Sequence, residues 1–233
     1  MVFLSKTAEV KKVEKPYISM NKLAEFMTAR PLRRKQIVKA LRIDADYNKV
    51  RYSEVRNILP LYYKKEYDNT ILTTCIDKIK AKTAISEWEI SDNKNSILAL
   101  KAILATDLPD LSNYTISNNL FKLNSMQISG VKVTLKPELY LQNKKTGKYG
   151  AIKIHFAKTL PNRLQHDNRE YASVLLKYAM LEEGIESKEI ENKACFSHDI
   201  FLQEYSHSPA THISKIKEIQ ASCHEIASLW NTL

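Results

Sequence analysis

No glycine occurs before Gly130, and the only others are Gly147, Gly150 and Gly184. Glycine supplies the positive-φ positions that close tight strand turns. A stretch of 129 residues without one is therefore expected to fold mainly as helices. Apolar residues recur there at helical spacing. Ser19 is expected to cap a helix to about Thr28, and Pro31 to open a second carrying Ile37, Val38 and Leu41. Further helices are expected over Tyr52 to Tyr67, with Pro60 bending or splitting it, over Thr70 to Ala84, and from Asn93 to Ala105 behind a cap at Asp92 or Asn93.

Near Thr115 the apolar period becomes two. Residues 120–128, 131–142 and 149–156 read as a three-stranded meander, followed by a helix over Asp167 to Glu183, a strand over 194–205 and a last helix from His212 to Trp230. The fold class expected is α+β: a basic all-helical N-terminal region over 1–90, then over 91–233 a mixed sheet flanked by helices.

The chain carries a formal charge of +10, and its placement is informative. Residues 1–65 hold 16 Lys and Arg against 6 Asp and Glu, whereas residues 66–233 hold 20 against 20. Segregated positive charge suits a polyanion, because each neutralised phosphate releases condensed counterions. Arg30, Arg33, Arg34, Lys35, Lys39, Arg42 and Arg51 are the expected nucleic-acid contacts, by phosphate rather than by base. Tyr47, Tyr52, Tyr62, Tyr63 and Tyr67 lie among the cations, where they serve either helix packing or stacking on unpaired bases. The alternative for the whole basic segment is a solvated helical surface.

Several functions are disfavoured. No apolar run reaches membrane-spanning length, and the start, MVFLSKTAEVKKVEK, turns charged after four residues, so a cytoplasmic protein without a membrane partner is expected. Cys75, Cys195 and Cys223 are widely spaced and form no CxxC pair, which suits free thiols. Cys195 and His198 lie three apart on an expected strand and so face opposite sides, which argues against zinc. The turn from Asn143 to Lys148 lacks the full phosphate-loop pattern.

One strand carries chemistry. In 149–156, Ile152, Ile154 and Phe156 share one face, and Ala151, Lys153 and His155 share the other. A lysine on a covered sheet face needs a partner, and the turn length brings Glu138 of the preceding strand toward Lys153. A carboxylate, a lysine and a divalent cation form the arrangement that phosphodiester hydrolysis requires. The carboxylate holds Mg²⁺, the metal lowers the pKa of its bound water, and the lysine offsets phosphate charge. The bland alternative is a structural ion pair.

These residues resemble a known family. VKVTLKPELYL, a turn, YGAIKIHFAKT, a helix containing NREYASVLLKYA and a further strand are similar, over residues 92–205, to the PD-(D/E)XK nuclease superfamily and its RecB-like and Cas4-like members. The resemblance implies a restriction-endonuclease-like mixed sheet. It puts Glu138 at the acid closing the PD motif, and Lys153 at the lysine of a D/E-x-K motif whose carboxylate position holds Ala151. Tyr171 falls on the tyrosine of a QxxxY signature whose glutamine position holds Asp167. Catalytic roles are thus expected for Glu138, Lys153, His155 and Tyr171. Mg²⁺ is expected on Glu138 and Asp92, with Glu87 or Glu89 as further acids. The expected partner is DNA rather than RNA, in bacterial defence or mobile-element biology. The alternative is an inactive nuclease-fold subunit in a protein complex or homodimer. The chain also resembles uncharacterised bacterial proteins sharing the GAIK-hydrophobic-HF strand.

Overall fold

In a computed structural model, residues 13–43, 51–158 and 166–233 are described. Tyr47 lies outside them. The described residues form seven helices and two sheets, an α+β fold.

The first strand, β1 (Tyr17–Ser19), leads into α1 (Met20–Thr28), which Ser19 caps by accepting the Lys22 N–H. Pro31 opens α2 (Pro31–Leu41), as its fixed φ and missing N–H favour. Three helices follow: α3 (Ser53–Lys64), α4 (Asn69–Ala81) and α5 (Glu87–Leu104). Pro60 sits inside α3 without splitting it. The start of α5 lies well before the expected Asn93, because Ser86 accepts the Glu89 N–H while the Glu89 carboxylate reaches back to the Ile85 N–H at 2.8 Å. Asp92 is thereby moved from a cap into the body of the helix.

Next come β2 (Tyr114–Ser117), β3 (Ser125–Ile128), β4 (Val131–Thr134), β5 (Leu139–Asn143) and β6 (Tyr149–His155). The single strand expected over 131–142 is two strands in different sheets. Between them Lys136 adopts a left-handed φ of 45° and Pro137 cannot donate to a ladder, so the chain leaves one sheet and enters the other. The crossover helix α6 (His166–Glu182) returns to β7 (Ile190–Asp199), β8 (Glu204–His207) turns back beside it, and α7 (Ile213–Thr232) closes the chain.

The large sheet runs β2-β5-β6-β7-β8, with β6 and β7 parallel and every other pair antiparallel. The small sheet runs β1-β4-β3, with β1 parallel to β4. The large sheet separates two apolar cores. Tyr140, Ala151 and Cys195 pack with α1, α6, α7 and the small sheet. Leu139, Ile152, Ile154 and Phe196 pack under α3, α4 and α5.

The N-terminal region is therefore not a separate all-helical domain. Residues 17–19 are a strand in a sheet built from residues beyond 124, and the boundary expected at residue 90 falls within α5. The physical reason is burial: α1 and α2 share the core that α6 and α7 build on one face of the large sheet, and α3 and α4 share the core on the other. Among the described residues, no helix is long and apolar enough to cross a membrane.

Candidate nucleic-acid interface

Leu139 pairs with Ile152, so Glu138, one residue earlier, stands opposite Lys153. The side chains meet: Lys153 Nζ donates to Glu138 Oε1 at 3.1 Å and to the Lys136 carbonyl at 2.7 Å. Glu138 Oε2 accepts the Ile154 N–H at 2.8 Å, so the carboxylate occupies the ladder position that a β5 carbonyl would take. A third donor comes from α3, where Arg56 Nη1 reaches Glu138 Oε1 at 2.8 Å. Its guanidinium also lies 4.6 Å from the Phe156 ring centre, and Tyr52 stacks on that ring at 5.0 Å. One carboxylate thus holds two cations, leaving the cluster with a net positive charge.

The polar row continues across the sheet. Lys153 is in register with Ser197 of β7, and Ser197 with Ser206 of β8. Above it α6 supplies the buried Arg169, whose Nε donates to Ser206 Oγ at 3.3 Å and whose Nη2 pairs with Glu204 at 2.5 Å. On the same face α1, packed beside α6, contributes Asn21, which donates to the Ile154 carbonyl at 3.3 Å. On the opposite sheet face, the buried Tyr63 hydroxyl lies 3.1 Å from His198 Nδ1. Burial first, and the Arg169 charge second, lower the His198 pKa from 6.5 to about 4.

Other expected residues lie elsewhere. His155 is the next outward position on the Lys153 face of β6, in register with Asp199. Tyr171 points to α7, where its hydroxyl donates to Glu218 and Lys215 Nζ lies 4.5 Å over its ring. Desolvation, followed by the Glu218 hydrogen bond, pushes its pKa well up. Asp92 accepts the Tyr52 N–H at 3.1 Å, which anchors the left-handed residue preceding α3.

The basic set divides. Arg33 pairs with Glu25 at 2.7 Å. Arg34 pairs with Glu225 at 2.7 Å, donates to the Met27 and Ala29 carbonyls, and covers the Phe26 ring. Arg51 lies 5.9 Å over Trp88, and Arg42 is half-buried. Arg30, Lys35 and Lys39 project into solvent from α2 and its cap. Half-burial and ion pairing of Arg33 and Arg34 bind α2 to α1 and α7, so these two act first as fold cations.

The residues fit Mg²⁺ poorly. Three donors already engage the Glu138 carboxylate, Asp92 serves a backbone amide, and Ala151 brings no oxygen. Among the described residues, the group with three ligand atoms within 4.8 Å of one another is instead His166, Asp167 and Glu170, exposed or half-buried at the start of α6, with Glu170 paired to Lys215. A hard octahedral cation needs more oxygen ligands than Glu138 offers.

Sequence reasoning missed Arg56, Asn21 and Arg169, and weighed His198 only as a zinc ligand. Arg56 had a readable signal, since Tyr52 and Arg56 stand four apart on the helix expected from Tyr52. The others enter through tertiary contact. No family model matches the chain, and no curated protein matches it.

Proposed function

We propose that this chain is a nucleic-acid-binding protein on a nuclease-like core, with Glu138 organising two cations for a phosphate instead of holding half a metal shell. The observation that carries the reading is the shared Glu138 oxygen: Arg56 and Lys153 both lie on it, at 2.8 and 3.1 Å, and one positive charge is left over. A phosphodiester is the ligand such a surplus suits, since guanidinium and ammonium donors in a partly desolvated site bind it with charge-assisted hydrogen bonds. The element order supports the core assignment, with a leading helix, antiparallel strands ending in β5 and β6, a crossover helix and a parallel β7. The exposed cations of α2 extend the positive surface, and DNA is the substrate class carried over from the resemblance.

Binding of a fluorescent DNA strand by wild type and by Arg56→Ala, each with and without Mn²⁺, tests the reading. Wild type binds in either condition and leaves the strand intact, while Arg56→Ala binds several-fold more weakly. Cleavage that requires Mn²⁺ and disappears in Glu138→Gln would replace this reading with a catalytic one.

A further inference from the structure

A second site lies farther along α3. A groove of about 660 Å³ is lined by Tyr63 and Lys64 of α3, by Glu66 and Tyr67 just beyond its end, by Leu108, Asp110, Leu111 and Ser112, and by Tyr114, Thr115 and Ile116 of β2, with Lys144 on its rim. Strand β2 is an outer strand of the large sheet, so one of its edges has no strand beside it among the described residues.

The hydrogen-bond alternation shows which backbone groups that edge presents. Asn143 N–H turns to the Lys148 carbonyl and Lys144 N–H to the Asn113 carbonyl, both at 2.8 Å. The ladder therefore joins Thr115 to Gln142 and Ser117 to Tyr140, while Tyr114 and Ile116 turn their backbones away from β5. Tyr114 N–H is taken by the Leu111 carbonyl at 2.9 Å. What faces outward from a residue lining the groove is the N–H and C=O of Ile116, a donor and an acceptor side by side.

Resting on the nucleic-acid reading above, we propose that this groove holds one unpaired nucleobase of the bound strand. The base edge pairs with the Ile116 N–H and C=O, its face lies against the tyrosine and leucine walls, and Lys64 and Lys144 meet the flanking phosphates. Every nucleobase offers an adjacent donor and acceptor, so the site reads the presence of a base and not its identity. Asp110, which accepts the Ser112 N–H at 2.9 Å, stands on the same wall for an exocyclic amine.

The spacing is compatible with one chain of nucleotides. From Arg56 to Lys64 along α3 is about 12 Å, and from Glu138 to Leu141 along β5 is about 10 Å. Both steps lead from the cation pair to the groove over a length that two extended nucleotides span.

Ile116→Pro tests the proposal, because it deletes the outward N–H of an outer strand while leaving the ladder residues in place. Wild type and variant are titrated with an oligothymidine and with an abasic strand of equal length, and Ile116 and Tyr67 amide shifts are followed with thymidine monophosphate. The expected result is about tenfold tighter binding of oligothymidine than of the abasic strand by wild type. Ile116→Pro, with an unchanged melting curve, should lose that preference, and the mononucleotide should shift the Ile116 amide. Equal binding of both strands by wild type, without mononucleotide shifts, overturns the groove and leaves the nucleic-acid reading intact. Mononucleotide shifts without any strand binding would support the groove and remove the reading. An extended peptide that moves these amides where the mononucleotide does not would show the groove to be a strand-pairing site for protein, overturning the proposal.

Discussion

Removing Glu138 strands two cations at once, whereas removing Lys153 leaves the carboxylate with Arg56 and the Ile154 N–H. Leaving a largely buried charge without its partner is the costly half of such a pair. Glu138→Ala is therefore expected to lower the unfolding free energy by about 3 kcal/mol, and Lys153→Ala by about 1 to 2 kcal/mol. Denaturant titration checks the order, and a larger loss for Lys153→Ala would contradict this account of the cluster. His198 supplies a separate residue-scale prediction. Its folded pKa of about 4 lies below the ordinary 6.5, so the unfolded chain binds the proton more readily. Stability from this group is complete above pH 6.5 and is lost as pH falls toward 4, by on the order of 3 kcal/mol. His198→Leu should flatten that acid limb in denaturation curves recorded between the two values, and an unchanged limb would refute it. The meeting of Glu138 and Lys153 was legible from the alternation of β6 and the length of its turn. Arg56 was not legible, because the helical pattern gives the side of α3 on which it lies but not the strand that side meets.

Elements pack closely where side chains are smallest. A Cβ built on Gly150 of β6 would lie 2.3 Å from Ala194 Cβ on β7, at the place where the pairing shifts register between Tyr149 and Ala151. Only glycine admits that approach. Gly150→Ala is expected to cost about 1 to 3 kcal/mol by forcing the parallel strands apart. Because Lys153 and Ser197 stand farther along the same pairing, weaker DNA binding should accompany the loss; a variant that melts and binds like wild type would exclude this role for Gly150. Helices α1, α2 and α6 were readable from caps, Pro31 and apolar spacing. The four-residue strands β2, β3 and β8 were unread or imprecisely bounded, since so few residues give little periodicity and their pairing comes from distant segments. The split of 131–142 had a visible marker in Pro137, but nothing local showed that the two halves join different sheets.

At the scale of the whole molecule, the charge asymmetry suggested a detachable basic front, yet the front helices supply part of the core on both faces of the large sheet. Tyr17 pairs with Lys132, Asn21 reaches the Ile154 carbonyl at 3.3 Å, and Arg34 holds Glu225 at 2.7 Å. Residues 91–233 alone would expose both cores, and are expected to give no cooperative thermal transition; a sharp one would restore the two-domain division. Charge and packing are thus two uses of the same segment, with Arg33 and Arg34 holding α2 in place while Arg30, Lys35 and Lys39 face solvent. The nucleic-acid reading combines that surface with the surplus cation on Glu138. Its most direct test is the salt dependence of DNA affinity for wild type and Arg56→Ala. The account predicts a linear fall of log affinity with log salt, with a slope shallower by about 1 in the variant. Affinity that does not change with salt, or an Arg56→Ala slope identical to wild type, would contradict it.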